Sequence, residues 1–218
     1  IAFNTEAERQ LCRSVFGRFL APNSIVGCGI EMAPEAEWSG VKAKYELPDE
    51  YVLYLGRVSK AKVDKLLPYF LRCKAKYGGD AKLVLVGGFE NEIRKFDSPD
   101  ILFTGYVSDE EKTAIVRHAT VMVNPSPMES LSLLMLEGMQ SRIPLLVNGR
   151  SKVMKDHCRL SGAGLWYNNG RDFRKKLHRL LSDPELRRTM SEKGPAYVRE
   201  HYDWEIIIPK LRTLIESI

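Results

Sequence analysis

Thr120 to Gln140 reads TVMVNPSPMESLSLLMLEGMQ, and its three parts decide the fold. Thr120 to Asn124 is a short, non-alternating apolar run, the pattern of a strand covered on both faces in a parallel sheet. Pro125 to Ser130 is rich in turn residues. Leu131 to Gln140 then predicts a helix, with Leu131, Leu133, Leu134 and Leu136 on its apolar face. A strand that opens through a loop into a helix is the repeating unit of an α/β fold.

The same unit recurs on either side. Tyr51 to Gly56 and Lys82 to Gly87 are further apolar runs bounded by turn residues, and Ile101 to Gly105, Pro144 to Val147 and Gly164 to Tyr167 complete the set. Between them, Val63 to Tyr77, Ser108 to His118 and Asp172 to Leu181 predict helices, the second with Ser108 and Glu111 at capping-box spacing. The expected fold class is therefore α/β, a Rossmann-like doubly wound parallel sheet. Pro184 to His201 and Trp204 to Ile218 predict two amphipathic helices wrapped around the outside. Ile1 to Ala33 predicts a helix and then a short strand, Ile25 to Gly27, and the polar stretch Pro34 to Pro48 reads as a linker. Three segments follow: 1–48, a domain at 49–202, and a closing helix at 203–218.

Composition narrows the class. In a chain of 218 residues, 44% hydrophobic and 28% charged is the balance of a domain with a packed core. The longest apolar stretches, Leu131 to Leu136 and Ile143 to Val147, fall short of the roughly 18 residues that span a bilayer, so no transmembrane helix is expected. The chain opens at Ile1 without Met, a basic leader or a cleavage site, which suggests a mature or truncated piece. Cys12, Cys28, Cys73 and Cys158 are scattered and form no C-x-x-C pair, so a reduced, cytoplasmic setting is the simplest reading. The net charge of +5 favours an anionic partner: a nucleotide diphosphate, an acidic membrane surface or nucleic acid. Acidic residues intersperse the cations throughout, which speaks against nucleic acid. The cations of Arg171 to Arg179 are either a solvated helix face or a contact for acidic lipid.

In an open α/β sheet, ligands bind beyond the carboxyl ends of the strands. The first such turn carries Arg57, Lys60 and Lys62; Arg57 and Lys62 could grip a diphosphate, or simply be solvated cations. Glu129 and Glu137 lie eight residues apart. On one helix they would be rotated by roughly 80 degrees and would not share a face. With Glu129 in the loop before the helix, its carboxylate and the first free amides can converge on one ligand, and a sugar nucleotide suits that chemistry. The bland alternative is a capping box of Ser126 and Glu129, with Glu137 a partly exposed helix residue. Gly27-Cys28-Gly29 lacks the third glycine of a dinucleotide fingerprint and reads as a turn. His157, beside Cys158, is a structural histidine or a residue of the sugar pocket, without companions for a metal.

Together these segments resemble a known family. PSPMESLSLLMLEGM, after a strand ending VNP, resembles the glutamate-seven-glutamate signature of glycosyltransferase family four, and YLGRVSKAK resembles its phosphate-gripping strand-turn-helix. FTGYVSDEEKTAIVRHATVMVNPS stands in the matching order, and the resemblance spans Tyr51 to Trp204. It implies the C-terminal half of a GT-B fold, in which two Rossmann-like domains face each other across a cleft. It also implies sugar transfer from a nucleotide diphosphate sugar with retention of configuration. By the same resemblance Arg57 and Lys62 hold the diphosphate, Glu129 is the catalytic residue at the donor sugar, and Glu137 binds the ribose hydroxyls. The backbone of Leu131, Ser132 and Leu133 approaches sugar and phosphate, and Tyr106 and Val107 hold the base.

No cofactor beyond the donor substrate is implied, and the absence of a D-x-D motif agrees with metal independence; fixed cations and a helix end would stabilise the leaving diphosphate. IAFNTEAERQLCRSVF and SIVGCGIE resemble the last helix and strand of an acceptor domain that is otherwise missing. Such a piece is expected to bind nucleotide and turn over little or not at all. A non-catalytic sugar-nucleotide-binding or assembly module is the alternative. Three positions depart from the family pattern, with Val63, Ser132 and Arg142 standing where glycines are common. Val63 and Ser132 would limit backbone approach to a ligand, whereas Arg142 would lie on the far side of the helix.

Overall fold

The computed structural model describes residues 1–88, 90 and 98–217; Ile218, the expected end of the last helix, lies outside the described residues. Six parallel strands form the central sheet: β3 (Tyr51–Leu55), β4 (Lys82–Val86), β5 (Ile101–Gly105), β6 (Val121–Asn124), β7 (Leu145–Asn148) and β8 (Gly164–Tyr167). Their spatial order is β5-β4-β3-β6-β7-β8. The chain therefore builds one half of the sheet outward from β3, returns to the middle, and builds the other half from β6, which is a doubly wound sheet.

The non-alternating strands are apolar because both faces are covered. Along β3, Tyr51, Leu53 and Leu55 enter the core beneath α5 (Asp109–Arg117), α6 (Leu133–Gln140) and α7 (Lys152–Ser161). Val52 and Tyr54 enter the opposite core, beneath α3 (Lys60–Val63), α4 (Leu66–Tyr77) and α8 (Gly170–Ser182). The expected single helix over Val63 to Tyr77 is two helices. Pro68 lacks an amide proton, and its ring would clash with the carbonyl of Asp64 if the helix ran through, so the break falls at Asp64 and Lys65. α9 (Pro184–Tyr202) does not merely wrap the outside: Met190, Tyr197 and Val198 are buried, and the helix packs along α6.

The expected linker is also corrected. Within it, Trp38–Lys44 forms α2, whose first amides are capped by the Glu37 carboxylate. Val41 is buried, and Trp38 stacks on His118 with ring centroids 3.9 Å apart. Lys44 and Tyr45 reach Glu111 at 2.6 and 2.8 Å, which ties α2 to the capping box at the start of α5.

A small unit stands apart from the central sheet. β1 (Ala2–Phe3) pairs in parallel with β2 (Ser24–Ile25), and α1 (Glu6–Phe16) connects them. The strand therefore begins one residue earlier than the sequence suggests, and a second strand precedes the helix. α1 buries none of its residues, and Leu11, Val15 and Phe16 stay exposed. The last helix, α10 (Trp204–Glu216), packs Ile207 and Leu214 against Val26 beside β2. The glycine turn after β2 makes this possible. Gly29 lies beneath the indole of Trp204, where a β-carbon would come within 2.3 Å of the ring. The two connecting segments meet where the Ile30 amide donates to the Tyr202 carbonyl at 3.0 Å.

Candidate functional site

The order of the sheet reverses between β3 and β6, and a crevice is expected beyond the carboxyl ends of those strands. A cavity of about 490 Å³ lies there, lined by Gly56 and Arg57 after β3 and by Ser126 and Glu129 after β6. Gly87 allows the turns to close up, since a β-carbon there would meet the Gly56 carbonyl at 2.3 Å.

Arg57 is held through its own backbone, because the buried Tyr54 donates its hydroxyl to the Arg57 carbonyl at 2.9 Å. Burial pushes the Tyr54 phenol up to about 12, with the Glu129 carboxylate adding to the effect and Arg57 opposing it. The phenol thus stays a neutral donor between the two charges. Lys62 reaches the Ser126 hydroxyl at 3.5 Å. Neither Arg57, Lys62 nor Glu129 forms an ion pair among the described residues. Among the described residues, then, no ion pair takes up these three charged groups around one cavity.

The loop between β6 and α6 is wired to itself. The Ser126 amide donates to the Asn124 side chain at 3.0 Å, the Ser126 hydroxyl to the Met128 carbonyl at 2.8 Å, and the Asn124 amide group to the Ser132 hydroxyl at 3.0 Å. The capping box of Ser126 and Glu129 does not form. Glu129 lies in the loop, and α6 starts at Leu133, two residues later than expected. Its cap is Ser132, left-handed at φ 67° and ψ 73°, with no side-chain bond to the helix. No acceptor among the described residues meets the amides of Leu133 and Leu134, so an uncapped positive helix end faces the cavity. A left-handed serine costs about 1–2 kcal/mol, and here that geometry aims the amides.

Of the expected site residues, Arg57, Lys62, Glu129, Leu131, Ser132 and Leu133 line this cavity, while Glu137, Tyr106 and Val107 do not. Glu137 sits one helical turn beyond Leu133 on the same side of α6. Its Oε1 accepts from Lys112 of α5 at 3.2 Å, and Lys112 also reaches Asp109 at 3.4 Å. Oε2 is enclosed without a partner among the described residues. Burial alone would lower the Lys112 ammonium, but Glu137 and Asp109 outweigh it and the net shift is upward. Tyr106 is exposed, with its ring over Gly88, and Val107 is half-buried against the core under α5 and α6. Tyr54, Asn124 and Lys112 were not singled out in the sequence. Only the placement of a tyrosine and an asparagine at strand ends hinted at the first two.

The departures from the family pattern resolve separately. Val63 is buried in the core and points away from the cavity. Arg142 does not lie on the far side of the helix: it makes the turn after α6 with φ 64°. His157 is 3% exposed and bonds Tyr197 through Nδ1 at 2.9 Å. Burial pushes it down to about 4, with Asp156 opposing and His201 adding. It belongs to the packing between α7 and α9 and does not line the cleft cavity.

The Glycosyl transferases group 1 family matches residues 40–197. Alpha-D-kanosaminyltransferase of Streptomyces kanamyceticus is 30% identical over 174 residues, 73% of this chain and 44% of that protein. Glycosyltransferase 1 domain-containing protein 1 of Xenopus tropicalis is 26% identical over 132 residues, 59% of this chain and 36% of that one. The chain thus spans less than half the length of these relatives. Among solved structures, Anabaena Alr3699/HepE in complex with UDP superposes with a TM-score of 0.83 at 13% identity, over 100% of this chain and 63% of that one. At that identity the likeness is one of fold.

Proposed function

The chain belongs to the group 1 glycosyl transferases and has the C-terminal, Rossmann-like half of their GT-B fold, and from that premise we propose that its cleft holds a nucleotide diphosphate sugar and supports retaining transfer of the sugar. The observation that carries this reading is the convergence of Arg57, Lys62, Glu129 and the unpaired amides of α6 on one cavity. Arg57, Lys62 and the helix end supply positive potential where a leaving diphosphate gathers charge. Glu129 is the one carboxylate among the described residues that line the cavity, and on this reading it faces the donor sugar. Leu131 and Ser132 shape the approach, and Glu137 with its unmatched oxygen takes the ribose hydroxyls. Tyr106 and Val107 form a shelf for the base at the start of α5. That a neighbour in fold was crystallised with UDP supports a nucleotide in this cleft.

The unit β1–α1–β2 is, on this reading, the closing part of an acceptor-side domain. Two short parallel strands are not stable alone, and the exposed Leu11, Val15 and Phe16 form the kind of face that further strands of such a domain cover. The chain on its own then binds donor and turns over little. Four free cysteines suit a reducing, cytoplasmic setting. No helix among the described residues is long and apolar enough to cross a membrane. The outward cations Arg171, Lys175 and Arg179 of α8 would serve contact with an acidic membrane surface.

Calorimetry with UDP, GDP and ADP tests the donor site. One nucleoside diphosphate is expected to bind, and at a hundredfold its Kd to add roughly 2.7 kcal/mol of stability. Arg57→Ala is expected to weaken the diphosphate much more than the parent nucleoside, by about tenfold or more. Equal losses for the two remove Arg57 from the diphosphate site, and no binding of any nucleoside diphosphate overturns the donor reading.

A further inference from the structure

Beside the cleft, a second cavity of about 310 Å³ opens beyond the carboxyl ends of β6, β7 and β8. Among the described residues, Lys62, Lys65 and Arg150 line it against a single acid, Asp64. Lys65 and Arg150 form no ion pair among the described residues.

The floor carries an independent sign of a ligand. Tyr167, the last residue of β8, is 5% exposed and packs edge-on against Phe173 with centroids 5.0 Å apart. A buried phenol ordinarily finds a hydrogen-bond partner. This one has none among the described residues, and its oxygen is not one of the fully enclosed unpaired atoms. The side chain borders this cavity. Burial pushes the phenol's pKa up, so it stays protonated and can donate.

We propose that this cavity is a binding site for a phosphate group, with Arg150 and Lys65 as its counter-charges and the Tyr167 hydroxyl as a neutral donor from below. A guanidinium forks onto two phosphate oxygens and an ammonium supplies a compact point charge. A dianion with oxygens in several directions uses all three donors at once, which a planar carboxylate does not. The cavity shares Lys62 and Pro125 with the cleft, so the anion sits next to the proposed donor without occupying its place. Its source is either inorganic phosphate or a small phosphorylated molecule.

Titration followed by backbone amide resonances, with inorganic phosphate and with glucose 6-phosphate as probes, tests the site in the absence of any nucleotide. Failure of the donor reading therefore leaves this test standing. The resonances of Asn148 to Arg150 and of Tyr167 to Asn169 are expected to shift. Arg150→Gln is expected to weaken binding tenfold or more and Tyr167→Phe several-fold, while affinity for a nucleoside diphosphate stays within about twofold. Tighter binding of glucose 6-phosphate identifies a phosphorylated molecule as the source, and equal affinity identifies phosphate itself. The proposal is overturned if neither probe binds, if Arg150→Gln leaves affinity unchanged, or if the shifts fall only around Arg57 and Glu129.

Discussion

Among the described residues, Glu137 and His157 each bury one polar side-chain atom without a hydrogen-bond partner, and the two could hardly be placed more differently. Glu137 stands near the cleft on α6, with one oxygen on Lys112 and the other unmatched. His157 sits between α7 and α9, with one ring nitrogen on Tyr197 and the other closed in by packing. An unmatched buried group costs about 1–3 kcal/mol. The cost at Glu137 makes sense if a ligand relieves it. At His157 a cavity of about 460 Å³ borders the residue but Nε2 itself is enclosed, and the ring escapes a larger penalty by remaining neutral. The same defect is thus open to function in one place and coupled to pH in the other.

The largest expected effect breaks the comparison on the histidine side. The folded state lowers His157 from 6.5 to about 4, so the unfolded chain takes up the proton first as pH falls. Its contribution is complete above pH 6.5 and lost progressively down to about pH 4, by roughly 3 kcal/mol in all. Urea unfolding at pH 7.5 and 4.5 should show that loss, and His157→Gln should remove about that much of the difference. An unchanged pH dependence in the variant would mean the ring is not held neutral.

A smaller effect sharpens the glutamate side. Glu137→Gln keeps the size but loses charge and one acceptor, and a charge-assisted hydrogen bond is worth about 1.5–3 kcal/mol. Binding of a ribonucleoside diphosphate should fall about tenfold, and that of its deoxyribose counterpart much less. If the ribose preference survives in a folded variant, Glu137 holds a packing defect of the same kind as His157.

The smallest effect supplies a control without any unmatched polar atom. Ser132 and Arg142 bracket α6, and both are left-handed. Ser132 is tied to Asn124 and lines the cleft, while Arg142 is exposed at the far end. Arg142→Gly should stabilise the chain by about 0.5–1 kcal/mol, the relief of left-handed strain less the added freedom of the unfolded glycine. Denaturant midpoints measure it. Ser132→Gly gains the same relief but gives up the Asn124 bond, so its net change should lie near zero.

These contrasts also mark what a sequence can and cannot convey. The strands were legible because two-sided burial leaves runs such as Tyr51–Leu55 apolar throughout. The gathering of Arg57, Lys62 and Glu129 was legible because strand ends of such a sheet converge on one edge. α2 was not legible: it is seven residues long, one of them buried, and Glu37 is an unusual cap. Nor was the pair Lys112 and Glu137, since nothing local in either helix announces a partner 25 residues away. The left-handed turns at Ser132 and Arg142 run against residue preference, and only the closure of α6 between two buried strands enforces them.

The bond from Ile30 to Tyr202 has a mechanical consequence. Because α10 returns to pack beside β2, the small N-terminal unit hangs from the sheet domain by two neighbouring stretches of backbone, one on the way out and one on the way back. Two stretches laced side by side behave as a strap and not as a string: a strap folds readily across its flat side but resists being splayed or wrung. A swing of the small unit would also have to part α1 from α7, where the Lys152 ammonium donates to the Gln10 side chain at 2.6 Å. The Thr5 hydroxyl, which donates to the Ser130 carbonyl next to Glu129 at 3.1 Å, is a catch that such a swing would engage and release.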